Sequence, residues 1–511
     1  MSVRLFSASI HGIDARPIEV EVDSSPGVHA FTIVGLADKA VRESEDRIAS
    51  AIRNSGFSPA SAKNKKILVN LAPADVKKEG PSYDLSIAIG YLLETKQIKF
   101  DPSDKLFAGE LSLDGTIKHV NGVLAMALLA KKIGIRELVI PHTDALEGAV
   151  VEGISVIGVK SLPHAIGYLN GTISISPTPK PPTGANNAFW GDSVLHIRGQ
   201  HAAKRALTVA AAGNHNVLMS GPPGAGKSLL AKSLAELLPQ LTFPEALEVT
   251  KIYSSVGLTD GKPLLVTRPF RNPHHTTSPA AIVGGGTWPR PGEISLAHCG
   301  VLFLDELPEF QRNVLESLRQ PMEDGVVTIA RAAGSLTIPA QFALVAAMNP
   351  CPCGNWGSGH AECVCSPYQV IKYQRKVSGP LLDRIDIQIN VPRETLSSHN
   401  SKSTSEELDR IRASVTRARK IQEQRLGNVG LMTNSQIDFR HVDKLCRLDQ
   451  AAERILAQAS QAKNLSLRAC HKIKKLARTI ADLAGSEVIQ QEHLAEAIAM
   501  RINEQMFAEF G

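Results

Sequence analysis

Along the first 170 residues, stretches of alternating apolar and polar positions are interleaved with stretches whose apolar positions recur every three to four residues. Alternation at 17–22, with the β-rich runs 66–71 and 106–111, predicts short strands; the three-to-four-residue spacing, at 37–55 and 83–95, predicts amphipathic helices. Together they predict a compact α+β domain over 1–170. The pattern changes after 185. The strand-length stretches 216–220 and 300–304 have unbroken apolar centres, 217–219 and 301–304, as parallel strands covered on both faces should, and helical stretches such as 229–238 alternate with them. This predicts an α/β domain over 186–395. Good helix formers dominate from 404 onward, predicting an all-helical domain over 396–511. Between the first two blocks, Pro177, Pro179, Pro181 and Pro182 fix φ and remove donors, so 171–185 reads as an extended linker.

Composition narrows the class without naming a function. A chain of 511 residues with 43% hydrophobic and 21% charged residues has room for two to four buried cores and is not a disordered chain. It has no apolar run long enough to cross a bilayer as a helix, and its first residues lack the pattern of a secretion signal, so a cytoplasmic protein with no membrane partner is expected. The formal charge of +6 is too diluted to argue for nucleic acid by itself. Seven cysteines, four of them between Cys351 and Cys365, suggest metal ligation or free thiols in a reducing compartment.

The most informative string is Gly221, Pro222, Pro223, Gly224, Ala225, Gly226, Lys227 and Ser228, which fits G-x-x-x-x-G-K-[ST] between an expected strand and an expected helix. Such a loop turns backbone N–H groups onto phosphates, the lysine reaches the β and γ phosphates, and the serine hydroxyl ligates Mg²⁺. A second half follows the apolar run 301–304, where Asp305 is suited to Mg²⁺ and Glu306 to general-base activation of water. ATP and Mg²⁺ are therefore the expected cofactors, and ATP hydrolysis the expected chemistry. The expected strand 341–347 leads to Asn349, which suits the lytic water or the γ phosphate. Arg384 follows a Gly-Pro break, and Arg468 lies in the helical tail. Each suits the γ phosphate of a neighbouring subunit, or is a plain surface charge.

These strings, with the segments 270–276, 291–298 and 477–483, resemble the AAA+ family, and within it the magnesium-chelatase-like branch that contains the ComM/YifB proteins. The resemblance covers essentially the whole chain. It implies that Asn349 is the sensor-1 residue, Arg384 the arginine finger and Arg468 the sensor-2 arginine, in a hexameric ring with ATP at the subunit interfaces. It also implies an AAA+ P-loop core with a C-terminal helical lid. The implied activity is that of an ATP-driven helicase promoting branch migration in homologous recombination during natural transformation, with single-stranded and branched DNA as partners. The alternative is a magnesium-chelatase-like or protein-remodelling ATPase that does not act on DNA.

Two β-prone runs around Ala332 and Ala333 predict a hairpin over 325–338, where this branch carries a pore-facing hairpin. Arg331 at its tip would meet a DNA phosphate, or is an ordinary surface arginine. In the loop 284–292, Arg290 is a second phosphate candidate, and Trp288 suits stacking on a base or subunit packing. Residues 79–85 resemble the Gly-Pro-Ser segment of Lon-type proteases, with Ser82 at the nucleophile. The resemblance implies a Lon-protease-like first domain of the ribosomal S5 domain 2-like kind. The family's basic lysine falls at Leu124, which accepts no proton, and neither Lys118 nor Lys131 matches the motif, so a non-proteolytic scaffold is expected.

Cys351, Cys353, Cys363 and Cys365 either close a tetrahedral Zn²⁺ site, with His360 as an alternative ligand, or stay free or redox-active thiols. Cys299, Cys446 and Cys470 read as small core residues. The basic runs 410–425 and 463–478 read as solvated helix faces or as surfaces for DNA or nucleotide.

Overall fold

The computed structural model describes residues 2–28, 30–36, 38–60, 65–182, 193–197, 199–285, 290–331, 334–357, 362–393 and 405–501. Two compact units result, one of 1–185 with 243–265 and 288–290, the other of the remainder.

The first unit is built on a seven-stranded mixed sheet. In chain order its strands are β1 (Val3–His11), β2 (Asp14–Pro26), β3 (Ala30–Val34), β4 (Lys65–Ala72), β5 (Lys105–Phe107), β6 (Glu137–Pro141) and β7 (Ser155–Val159), and their spatial order is β3-β4-β2-β1-β5-β6-β7. Ile18, Val20 and Val22 of β2 are fully buried while Glu19 is exposed and Glu21 half-buried, the two-residue period expected of a strand with one face on a core. Helix Asp84–Glu94 packs so closely there that a Cβ on Gly90 would stand 2.8 Å from Val22. The helix Val123–Lys132 contributes Val123, Leu124, Met126, Ala127, Leu129 and Ala130 to a second apolar cluster, with residues of β6 and β7. The expected strand 106–111 is two pieces, Lys105–Phe107 and Glu110–Leu111: the Ala108 amide bonds to Val139 on β6 and that of Gly109 to Ser82, which ends the first ladder.

The second unit carries a five-stranded, all-parallel sheet: β8 (Val217–Ser220), β9 (Phe270–Arg271), β10 (Val301–Leu304), β11 (Ala343–Met348) and β12 (Ile387–Asn390), ordered β9-β10-β11-β8-β12. Every residue of β8, β10 and β11 is buried, the reason these strands read as unbroken apolar runs. The C-terminal helices Ser405–Leu426, Gln450–Ala462, Leu467–Ala484 and Gln491–Arg501 share one continuous core with this sheet. Strands Val326–Arg331 and Gly334–Pro339 form the expected antiparallel hairpin. Residues 332 and 333 and the Arg331 side chain lie outside the described residues.

The basic run 463–478 differs from its solvated expectation. Arg478 is fully buried and bonds Asp482, Lys472 meets Asp386 at 2.7 Å, and Lys475 donates to the Ser435 carbonyl at 2.8 Å. A carboxylate on a distant stretch of chain, Asp386, draws Lys472 inward, whereas Arg478 pairs one turn along its own helix. Of the three isolated cysteines, Cys446 is buried, whereas Cys299 and Cys470 are only half-buried. Among the described residues no helix is long and apolar enough to cross a membrane.

Candidate nucleotide-binding site

β8 ends at Ser220, and the chain turns through 221–226 into the helix Lys227–Leu237. Gly224 and Gly226 sit at φ +77° and +85°, a region that a Cβ disfavours. Gly221 is required for another reason: a Cβ there would stand 2.1 Å from the Val391 carbonyl oxygen. No side chain caps the helix, so the first-turn amides, at the positive end of its dipole, face the loop for an anion to accept.

Sheet order brings the partners in. Because β11 lies between β8 and β10, and Ser220 is in register with Met348, Asn349 emerges beside the loop, with Asp305 one strand further on. The Lys227 ammonium donates to the carbonyls of Gly221 (2.6 Å) and Pro222 (3.0 Å) and to Asn349 Oδ1 (3.1 Å). Burial lowers its pKa, against the opposing pull of Asp305 and Glu306. The Ser228 hydroxyl donates to Asp305 Oδ2 at 2.9 Å. A hydroxyl and a carboxylate this close are a fitting pair of oxygen donors for Mg²⁺.

Glu306 adopts a left-handed backbone (φ +53°), rare for a side chain of its kind, and its amide donates to Asp305 Oδ1 at 3.0 Å. Its half-exposed carboxylate lies 3.5 Å from His275 Nδ1, and His275 is braced by the ring of His274 (centroids 4.1 Å) and the edge of Phe310. Sequence reasoning missed His275 as a partner of Glu306. The signal was present in the paired histidines of 274–275, but nothing local ties them to a glutamate thirty residues on.

Arg384 and Arg468 converge elsewhere. Arg384 Nη2 bonds Glu323 Oε2 at 2.7 Å, and Arg468 Nη2 bonds the other carboxylate oxygen of Glu323. Burial would raise the Glu323 pKa, but the two guanidiniums hold it below its ordinary value. The Arg384 carbonyl accepts from Asn216 Nδ2 (3.2 Å), and Asn216 precedes β8. Both arginines therefore belong to the end of the sheet opposite Gly221. They line a cleft of about 840 Å³ with Asp386, His471, Lys472 and Lys475. Burial pushes the Lys472 ammonium down to about 8 despite Asp386; burial likewise opposes ionisation of Asp386, yet Lys472 and His215 hold its carboxyl well below the usual range.

Models of the magnesium chelatase subunit ChlI match residues 20–144 and 193–399, and that of the ChlI C-terminal region matches 405–501. The chain is 42% identical over 503 residues to the competence protein ComM of Haemophilus influenzae, covering 97% of each chain. It is 39% identical over 499 residues to YifB of Escherichia coli, covering 96% of this chain and 95% of the other. The chain belongs to the ComM/YifB family of magnesium-chelatase-like AAA+ proteins. A weaker likeness, 25% over 166 residues and 29% of each chain, links it to Lon protease 2 of Bacillus subtilis.

In this ComM/YifB chain the Lon-like residues are placed as follows. Ser82 sits in the turn Pro81–Tyr83, beside a cavity of about 500 Å³ also lined by His11, Glu79, His119 and Arg290. Leu124 is fully buried, its amide tied to Glu147 at 2.8 Å, and Lys118 and Lys131 are exposed. A buried lysine unnoticed in the sequence, Lys78, donates to the Pro73 carbonyl and has its pKa lowered by burial. Arg290 is exposed, in the short strand Arg290–Pro291; Trp288 lies outside the described residues. Cys351, Cys353, Cys363 and Cys365 bring their sulfurs within 4.8 Å of one another, while His360 lies outside the described residues.

Proposed function

We propose that this chain is a Mg²⁺-dependent ATP hydrolase working as a ComM-like, ring-forming DNA motor that drives branch migration of recombination intermediates during natural transformation. The observation that carries the ATPase reading is the meeting of Lys227, Ser228, Asp305 and Asn349 at the ends of β8, β10 and β11. The loop 221–226 and the first turn of Lys227–Leu237 hold the β phosphate by backbone N–H groups. Lys227 exchanges its carbonyl acceptors for β and γ phosphate oxygens. Ser228 and Asp305 hold Mg²⁺, which when bound neutralises charge developing on the phosphates. Glu306 takes a proton from the attacking water, and Asn349 orients that water or the γ phosphate.

Arg384 and Arg468 act in the neighbouring site. The placement that supports this is their shared carboxylate at the opposite end of the sheet, from which neither reaches its own loop. The family membership supports a hexamer with ATP at each interface and the C-terminal helices as a lid. Arg331 on the hairpin and Arg290 are the candidate contacts to single-stranded or branched DNA, supported by their positions on a hairpin end and an exposed strand. A cytoplasmic location fits such a substrate.

The test is steady-state hydrolysis of ATP alone and with single-stranded, duplex and four-way-junction DNA, with Glu306→Gln as control. Stimulation by DNA, lost in the control, supports the motor. Hydrolysis indifferent to every DNA overturns it in favour of an ATPase acting on a protein or a chelatase partner.

A further inference from the structure

The cysteine loop begins two residues after Asn349 and folds back onto the phosphate-binding loop. Its sulfurs are set for coordination and not for disulfides. Cys351 Sγ lies 3.4 Å from Cys353 and 3.7 Å from Cys363, and Cys353 lies 3.6 Å from Cys363. A disulfide needs about 2.05 Å, whereas a tetrahedron of sulfurs with metal–sulfur bonds of about 2.3 Å has edges of about 3.8 Å. Cys365 completes the set. Cys351 is fully buried, and the Trp356 amide donates to its sulfur at 3.4 Å, the outer-shell support that thiolate ligands use. Gly354 and Gly357, at φ +82° and +69°, make the reversals between the two Cys-x-Cys pairs.

The loop is tied to the nucleotide site at two points. A Cβ on Gly354 would stand 2.4 Å from Pro223 Cδ and 2.8 Å from its Cγ, so the loop backbone rests directly against the phosphate-binding loop. On its other side, the Pro350 carbonyl, between Asn349 and Cys351, accepts from the buried Gln374 Nε2 at 2.9 Å. Gln374 ends the helix Pro367–Gln374, which starts two residues after Cys365 with a capping box on Ser366.

We propose that Cys351, Cys353, Cys363 and Cys365 hold one Zn²⁺ ion, and that the closed loop braces Pro223 and Asn349 so that metal occupancy sets the affinity for ATP. The ion is structural: four thiolates leave no open position for a substrate. The metal site stands on the cysteines alone, while its effect on ATP rests on the nucleotide-site reading above.

The experiment measures both on the full-length protein. Elemental analysis of protein grown with zinc is expected to give about one zinc per chain, and protein grown with cobalt to show the absorption of tetrahedral thiolate Co²⁺. Cys363→Ser should lose both signals. Gly354→Ala keeps all four ligands but disturbs the contact with Pro223; it should retain zinc and bind a fluorescent ATP analogue about tenfold more weakly. Parent protein without zinc, and without the cobalt spectrum, overturns the site. Zinc retained in Gly354→Ala with unchanged nucleotide affinity overturns the brace and leaves the site standing. Zinc present in a parent that binds no ATP analogue counts against the nucleotide reading instead.

Discussion

Two serines in this molecule stand in similar settings. Ser82 and Ser228 each follow a glycine at positive φ and lie at or just before the start of a buried helix that packs on a sheet. Around Ser228 the chain itself places Lys227, and the sheet order delivers an aspartate and an asparagine. Leu124, where the Lon resemblance implies the base, has its amide bonded to Glu147 and its side chain in an apolar cluster. The difference teaches that a helix start and a glycine turn are scaffold. What differs is which groups the surrounding elements bring to the serine: a lysine, an aspartate and an asparagine at Ser228, and a cavity with His11, Glu79 and His119 at Ser82.

The strongest way to break the comparison is at the arginines. Arg384→Ala is expected to lower ATP turnover by about 10³-fold, or about 4 kcal/mol of transition-state stabilisation. Mixing it with Lys227→Ala, itself inactive, should restore part of the rate, because each lesion lies on a different side of an interface. Absence of any recovery at saturating protein rejects action between subunits.

Next in size is a change in stability. Asp386→Asn leaves Lys472 buried without its counter-charge and should cost about 3 kcal/mol in denaturant unfolding at pH 7. Asp386 has a folded pKa below its unfolded value of about 3.9, so its contribution is present above that pH and disappears as pH falls through the folded value. The gap between parent and variant should therefore close as unfolding is measured at progressively lower pH below 4. A gap constant with pH rejects the ion pair as its cause.

A smaller effect comes from restoring the Lon-type lysine. Leu124→Lys should lower stability by about 2 kcal/mol or more, through a buried and unpaired amine, and yield no cleavage of casein. The smallest is Ser82→Ala, expected to stay within about 0.5 kcal/mol of the parent in stability and to leave ATP turnover unchanged. Loss of turnover in Ser82→Ala would give that serine work that the present comparison denies it.

How much of this was legible in the sequence follows the range of the interactions. The phosphate-binding loop was readable because its chemistry is local: the glycines, the lysine and the hydroxyl must be neighbours in the chain. Asp305 and Asn349 were readable because each follows an unbroken apolar strand, and a parallel sheet puts such ends on one side. The parallel sheet and the helical end were visible for similar reasons. Glu323 was not readable: it joins Arg384 and Arg468, 61 and 145 positions away, from near the end of a short helix with no motif. The run 463–478 misled for the converse reason. Its own stretch holds no acid, but Asp386 meets Lys472 from 86 positions away and Asp482 meets Arg478 from one helical turn beyond the run, so charge counted within the run missed both partners.

Glu323 has one further consequence. A carboxylate carrying a guanidinium on each oxygen is a joint with a single pin: shifting the helix Arg319–Asp324 displaces both arginines at once. Once one guanidinium leaves for a phosphate, the other loses none of its own bond but faces a carboxylate with a spare oxygen, and holds it more tightly. In a ring of such subunits the two arginines would then depart in turn and not together, giving each interface an order of engagement and not a simple open or shut state.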